Sequence, residues 1–161
     1  MISHAGLNLT INILSRSFTG HMRFLSFHVD YFSYKVTKKG RSRIIEELTD
    51  ENRAGRIENA LVLFISMEKQ DETNSTVLQK AISEIKSISH SLKVSNLVLA
   101  PFAHLFGELS SFEFAFNSLK ELEARLKADG YFVSRLPFGW FNELELKAKG
   151  HPLSRISRII S

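Results

Sequence analysis

Two short segments carry most of the residues whose types and spacing could do chemistry. Pro101-Phe102-Ala103-His104 follows an apolar run, Asn96 to Ala100. Such a position, at the C-terminal end of a strand, is where ligand crevices open in α/β sheets. Two readings stand for it: a binding loop with an imidazole at its tip, or a rigid strand-ending loop whose histidine satisfies a neighbour. Pro137-Phe138-Gly139-Trp140-Phe141-Asn142 is an aromatic turn in which Gly139 could bring the backbone close to a ligand. Aromatics around a glycine are equally the signature of core packing. His28 and Asp30 share one strand face by period 2, which suits an acid/base pair or a structural hydrogen bond. The six histidines (His4, His21, His28, His90, His104 and His151) have no HExxH or HxH spacing, so no metal site is expected. The absence of cysteine excludes disulfides, thiolate zinc sites and cysteine nucleophiles. GxSxG, GxGxxG and Walker patterns are also missing, so serine-hydrolase, dinucleotide and P-loop chemistry lack their backbone geometry, and no cofactor is called for.

The elements that must position these segments follow from hydrophobic period. Near-alternation from Met22 through Phe24, Phe27, Val29 and Tyr31 to Tyr34 and Val36 slips phase, predicting two strand segments joined by a bulge or bend. Residues 37–52 are polar and suit a loop or a short solvated helix. Asn59 to Glu68 is a continuous apolar run of strand length, expected to be central and covered on both faces. Val77, Leu78, Ala81, Ile82, Ile85, Ile88 and Leu92 recur at helical steps, with Asn74 or Ser75 as cap. Asn96 to Ala100 is a short buried strand closed by Pro101. Ser110 with Glu113 has capping-box spacing before a helix over 111–129, and Gly130 stands where a left-handed residue ends it. Tyr131 to Leu136 and Leu144 to Ala148 complete the strands, and a short basic tail is expected from Ser154. The order β–β–α–β–α–β–β predicts one compact α/β domain with helices packed on a mixed or antiparallel sheet.

With 161 residues, 43% of them hydrophobic, the chain can bury a real core without a disulfide or structural metal. The formal net charge of +4 is compatible with RNA and does not require it. The densest apolar stretch, Leu61 to Met67, is far below the roughly 18 residues that cross a bilayer, so no membrane partner is expected. Residues 1–21 lack a basic n-region and are broken by Asn8, Thr10 and Asn12, so they are not a secretory signal and a cytoplasmic location is expected. They are also expected to be a loosely attached extension, so a chain starting at Met22 should fold with an unchanged thermal midpoint; failure to fold would refute this.

FLSFHVDYFSYKV, ENALVLFISMEK, APFAHLFGEL, LPFGWFNELELKAKGHPL and SRISR, in this order over 22–160, resemble the N-terminal editing domain of archaeal threonyl-tRNA synthetase. The resemblance implies the fold of the D-aminoacyl-tRNA deacylases, a homodimer, and hydrolysis of L-serine from tRNA for threonine. It implies pocket walls at Met67, Pro101, Phe102, Ala103 and Phe138, with His104 positioning the ester or the terminal adenosine. Much of the catalysis would come from the tRNA's terminal 2′-hydroxyl. Two positions depart from the family pattern. Asn142 follows Trp140 and Phe141 where a lysine is usual, and Arg155 stands where a glutamate is usual. Asn142 is the catalytic candidate beside His104, and Phe141 and Arg155 are substrate-binding candidates. A D-aminoacyl-tRNA deacylase and a weakened tRNA-binding or dimerisation module remain alternatives. A class II catalytic domain and an anticodon-binding domain do not fit in 161 residues. Such a unit is therefore an expected partner, fused or separate, and this chain is not expected to aminoacylate.

Overall fold

In the computed structural model, residues 21–103, 105 and 107–161 are described. The strand that opens at Met22 runs without interruption to Lys39, giving one strand of 18 residues, β1 (Met22–Lys39), in place of two segments. The phase slips are real but local. The pairing of β1 with β5 (Trp140–Ala148) shifts register between Val29 and Tyr31 and again between Val36 and Lys38. Bulges absorb a slip by adding twist while the strand continues.

β2 (Ala54–Ser66) starts five residues earlier than the apolar run, because Ala54 to Glu58, with the charges of Arg56 and Glu58 among them, pair with Tyr31 to Lys35 of β1. α1 (Val77–Leu92) buries Val77, Ala81, Ile82, Ile85 and Ile88. Its N-cap is Thr76, not Asn74 or Ser75; Asn74 instead accepts hydrogen bonds from the Thr76 backbone N–H (3.1 Å) and hydroxyl (2.8 Å), a local turn that leads into the helix. β3 (Asn96–Pro101) follows. α2 (Phe112–Ala128) is capped by Ser111, one residue after the expected Ser110, whose side chain accepts from Phe114 N–H at 3.3 Å. Gly130 follows with φ +93°, as expected of a left-handed residue at a helix end.

β4 (Phe132–Arg135) pairs in parallel with β3, and β3 in parallel with β2. The supposed basic tail is a strand, β6 (Arg155–Ile160), antiparallel to Met22 to Phe27 of β1. Its arginines face solvent and hide the pattern, while Ile156 is half-buried and Ile160 reaches the core. The sheet order is β4-β3-β2-β1-β5, with β6 also on β1, so the fold is α/β with a mixed sheet, as expected.

Residues on β2 alternate between two apolar clusters. Leu61, Leu63, Ile65 and Met67 face the helices, together with Ile85, Leu119, Leu122 and Leu126. Ala60, Val62 and Phe64 face away and join Val29, Phe32, Tyr34, Val98, Ala100 and Leu136. Tyr34 from the distal half of β1 thus shares an apolar cluster with Leu136 just beyond β4, as the two ends of a sheet that curls do. No helix among the described residues is long and apolar enough to cross a membrane.

Candidate functional site

β2 and β3 are parallel and end side by side, with Pro101 opposite Ile65. The Phe102 N–H extends the ladder by donating to Ile65 O at 2.8 Å. This puts Met67, Pro101, Phe102 and Ala103 at one end of the sheet. Met67 is buried, whereas Phe102 and Ala103 are exposed and Phe102 packs edge-on against Phe64 with ring centres 5.5 Å apart. His104 lies outside the described residues. The chain then doubles back over β2: Lys69 N–H donates to Glu108 O (2.7 Å) and Ser110 N–H to Met67 O (3.1 Å).

Beneath this returning strap is a wholly buried carboxylate, Glu68. One of its oxygens accepts from Ser66 Oγ at 2.8 Å, Arg23 stands 3.9 Å away, and the other oxygen has no hydrogen-bond partner among the described residues. A β-carbon on Gly107 would run into the Glu68 carboxylate, which would have to move to make room. Asp71 caps the same corner, accepting from Met22 N–H (3.0 Å) and Glu68 N–H (2.8 Å), and burial pushes its carboxyl up. The Glu68-x-x-Asp71 spacing, that of a capping box, was the one signal available for this corner.

The aromatic turn is held by a different pair. Glu46, from the polar segment between β1 and β2, meets Arg135 at the end of β4 through two bonds of 2.7 Å. It also accepts from Phe138 N–H (2.8 Å), while its own carbonyl accepts from Trp140 Nε1 at 2.8 Å. Glu123 of α2 takes the remaining face of Arg135 at 2.7 Å. Burial opposes ionisation of Glu46, but the Arg135 and Phe138 donors outweigh it and hold its carboxyl below the usual 4.5; Glu123 is lowered by the same balance, with Lys127 and Arg135 as donors. Phe138 is buried against Phe116, and Gly139 has φ +85°.

Past the turn, Phe141 is exposed, and Asn142 lies opposite Val36 with its Nδ2 donating to Trp140 O at 3.1 Å. Its buried Oδ1 has no hydrogen-bond partner among the described residues. Arg155 is exposed opposite Phe27, whose ring touches Phe64 and, through it, Phe102. Asn142 and Arg155 therefore face β1 residues nine positions apart, about 30 Å of strand. No hydrogen bond joins them.

The His28 and Asp30 pairing does not form. Asp30 is bound by Lys149 (2.8 Å) and Lys147 (3.3 Å), bonds that lower its carboxyl, while His28 is buried and meets His151 at 2.9 Å. Burial is the main cause of the lowered His28 value. An open cleft of about 420 Å³ between the N-terminal end of α1 and the side of α2, lined by Asp71, Asn74, Phe114 and Arg125 among others, contains none of the candidates. Among the described residues no group of three or more His, Asp or Glu side chains could hold a metal ion.

Over residues 22–160 the sequence matches the family described as the Archaea-specific editing domain of threonyl-tRNA synthetase. The chain belongs to that family. Among relatives of this editing domain, the threonine–tRNA ligase of Thermococcus onnurineus is 42% identical over 140 residues, 86% of this chain and 22% of that protein. That of Methanosphaera stadtmanae is 42% identical over 141 residues, 87% of the chain and 23% of the protein. The chain thus spans less than a quarter of the length of these ligases. A solved structure of the c-Myc DNA unwinding element binding protein shares the fold of the editing domain with a TM-score of 0.58 at 12% identity, over 84% of this chain and 97% of that one.

Proposed function

We propose that this domain hydrolyses the ester that joins L-serine to tRNA for threonine. Its membership of the threonyl-tRNA synthetase editing family carries the reading. The physical need is plain: threonine exceeds serine by one methyl, a difference worth only about 1–3 kcal/mol in a binding pocket. A second site too small for the methyl and open to serine removes the error. Met67, Pro101, Phe102, Ala103 and Phe138 serve as its apolar walls. Phe141 and Arg155 contact the substrate, and His104 positions the ester or the terminal adenosine.

None of the wall residues can take a proton from water, and the Asn142 amide orients without acting as a base. The resemblance to the family, rather than any residue of this site, assigns activation of the attacking water to the terminal 2′-hydroxyl of the tRNA, with His104 as the side chain that positions the ester. The reading includes a homodimer acting with a threonyl-tRNA synthetase catalytic unit, fused or separate, in the cytoplasm.

The test is deacylation by the purified chain of L-seryl-, L-threonyl- and D-aminoacyl-tRNA, with a seryl-tRNA that lacks the terminal 2′-hydroxyl. Serine release that spares threonine and vanishes without the hydroxyl is the expected result. Asn142 and Arg155 motivate the two other readings. Preferential loss of the D-substrate would make the domain a D-aminoacyl-tRNA deacylase, and tRNA binding without hydrolysis would make it a binding module. Ala103→Leu should lower serine release about tenfold to a hundredfold, because the added methylenes overfill the space meant for serine. Sedimentation should show the same assembly state as the parent. Full activity in this variant would put the pocket elsewhere.

A further inference from the structure

The chain's formal net charge is +4, yet Lys35, Lys38, Lys39, Arg41 and Arg43 alone carry +5, so the rest of the molecule is at −1. No acid occurs between Tyr31 and Ile45 in the sequence. All five cations are exposed at the distal end of β1 and the loop after it. Eleven of the other lysines and arginines are in ion pairs with carboxylates, including Arg56 with Glu58, Lys86 with Asp129 and Arg158 with Glu84. Among the described residues these five are in none, and Lys35 leaves even Glu143, its neighbour across the ladder, unbridged. Like charges crowded without counterions cost stability unless a polyanion supplies the missing charge.

Aromatic rings interleave with them. Lys38 lies over Phe141 at 5.7 Å and Lys39 over Trp140 at 5.8 Å, the residue pairs that face each other across the β1 and β5 ladder. Phe141 is 54% exposed. Gly40 N–H donates to Gly139 O at 2.8 Å, so the basic loop is pinned to the aromatic turn of the candidate site. Cations that track a phosphate backbone, beside an open ring on which a base can stack, are the two parts of a single-stranded RNA platform.

We propose that Lys35, Lys38, Lys39, Arg41 and Arg43, with Phe141, form the surface that receives the phosphate backbone and the unpaired 3′ end of an RNA acceptor arm. The assignment rests on the proposed tRNA substrate and names where that substrate lies on the protein. Phosphate contacts fix its path and register, and the Phe141 ring takes a base next to the turn that carries Phe138 and Asn142.

The test compares binding of a labelled, unacylated threonine tRNA transcript at several salt concentrations by the whole chain, by a patch variant and by a control. The patch variant carries Lys38→Gln, Lys39→Gln, Arg41→Gln and Arg43→Gln. The control carries Lys80→Gln, Lys86→Gln, Lys93→Asn and Lys127→Gln, the same charge loss on the helical side. Each phosphate contact contributes about 0.7–0.9 to the slope of log K against log salt. The patch variant should lose roughly two to three units of slope and at least tenfold in affinity, the control less than one unit. Phe141→Ser should weaken binding about fivefold or more for the intact transcript and leave a transcript without its single-stranded 3′ end unchanged. Matching thermal midpoints exclude misfolding as the cause.

Serine release measured on the same preparations keeps the two proposals apart. A parent chain that binds through the patch without hydrolysis retains this surface and removes the enzymatic reading. A patch variant that binds and hydrolyses like the parent overturns the surface and leaves the enzymatic reading intact; the patch would then suit an acidic protein face. A parent chain without affinity for the RNA overturns the surface as well.

Discussion

Replacing Arg135 with methionine should cost about 3–5 kcal/mol, because it strands two largely buried carboxylates, Glu46 and Glu123, whose charges Arg135 neutralises at 2.7 Å. In a domain of this size that is a fall of roughly ten degrees or more in the melting midpoint. The damage would reach the site, since Glu46 holds the aromatic turn through Phe138 N–H and Trp140 Nε1. Arg135→Lys should recover little of it, because a point ammonium cannot bridge one carboxylate with two bonds while reaching a second. Adding Glu46→Gln and Glu123→Gln to the Arg135→Met chain should restore much of the loss, which separates uncompensated charge from lost packing.

The pH dependence gives a second readout: between pH 7 and 5 the parent is flat in this contribution and the variant is not. In the parent both carboxyls sit below the ordinary glutamate value of 4.5, so their stabilisation is complete above that value. It is lost as the pH falls through their lowered values. Without Arg135, burial pushes the same carboxyls up, the folded state binds the extra protons, and stability should rise as the pH falls from 7 towards 5. Melting curves across this range check it. Parallel curves for the two proteins would mean that the buried triad does not carry the charge balance assigned to it.

This triad also marks where the sequence stops being informative. β2 and the two helices were legible because their apolar residues repeat with the period of the element, and Ile85 or Leu122 faces the core wherever the rest of the chain goes. The PFAH and PFGWF segments were legible as local motifs. Glu46 and Arg135 are 89 residues apart, and no local period links a charge in a polar loop to one at a strand end. The lone arginine between Val133 and Leu136 was the visible trace of that contact. β6 was hidden for another reason. Ile156 and Ile160 share the helix-facing side with Arg158, which pairs with Glu84 of α1, and Arg155 is exposed on the other side, so the stretch reads as a basic tail without its pairing to Met22 to Phe27. The basic patch needs both kinds of information: its charges are local in sequence, but its freedom from counterions and its aromatic neighbours come from the β1 and β5 register.

Gly139→Ala should be the most damaging single-methyl change in the aromatic turn. Its φ of +85° is a conformation that costs an L-residue about 1–2 kcal/mol. The added β-carbon would stand 2.4 Å from Ile44 O and 3.2 Å from Ile45 Cα, both backbone atoms, and 2.9 Å from Ile45 Cδ1. The Ile45 side chain can swing away, but the backbone is fixed on both sides. Gly40 N–H is bonded to Gly139 O, and Glu46 N–H to Phe138 O at 3.0 Å. Relief therefore requires breaking the bonds that place the turn. Overpacking of this kind adds about 1–3 kcal/mol, for a total of about 2–5 kcal/mol. Gly130→Ala is the matched control, because Gly130 has a similar φ of +93° but nothing within 4 Å of the added carbon. It should lose only the conformational part. Urea midpoints at constant slope measure the difference. Because Trp140 and Phe141 follow directly, Gly139→Ala should also lower RNA affinity and serine release together, whereas Gly130→Ala should leave both unchanged. Equal losses of stability in the two variants would show that the close approach of residues 44 and 45 does not constrain the turn.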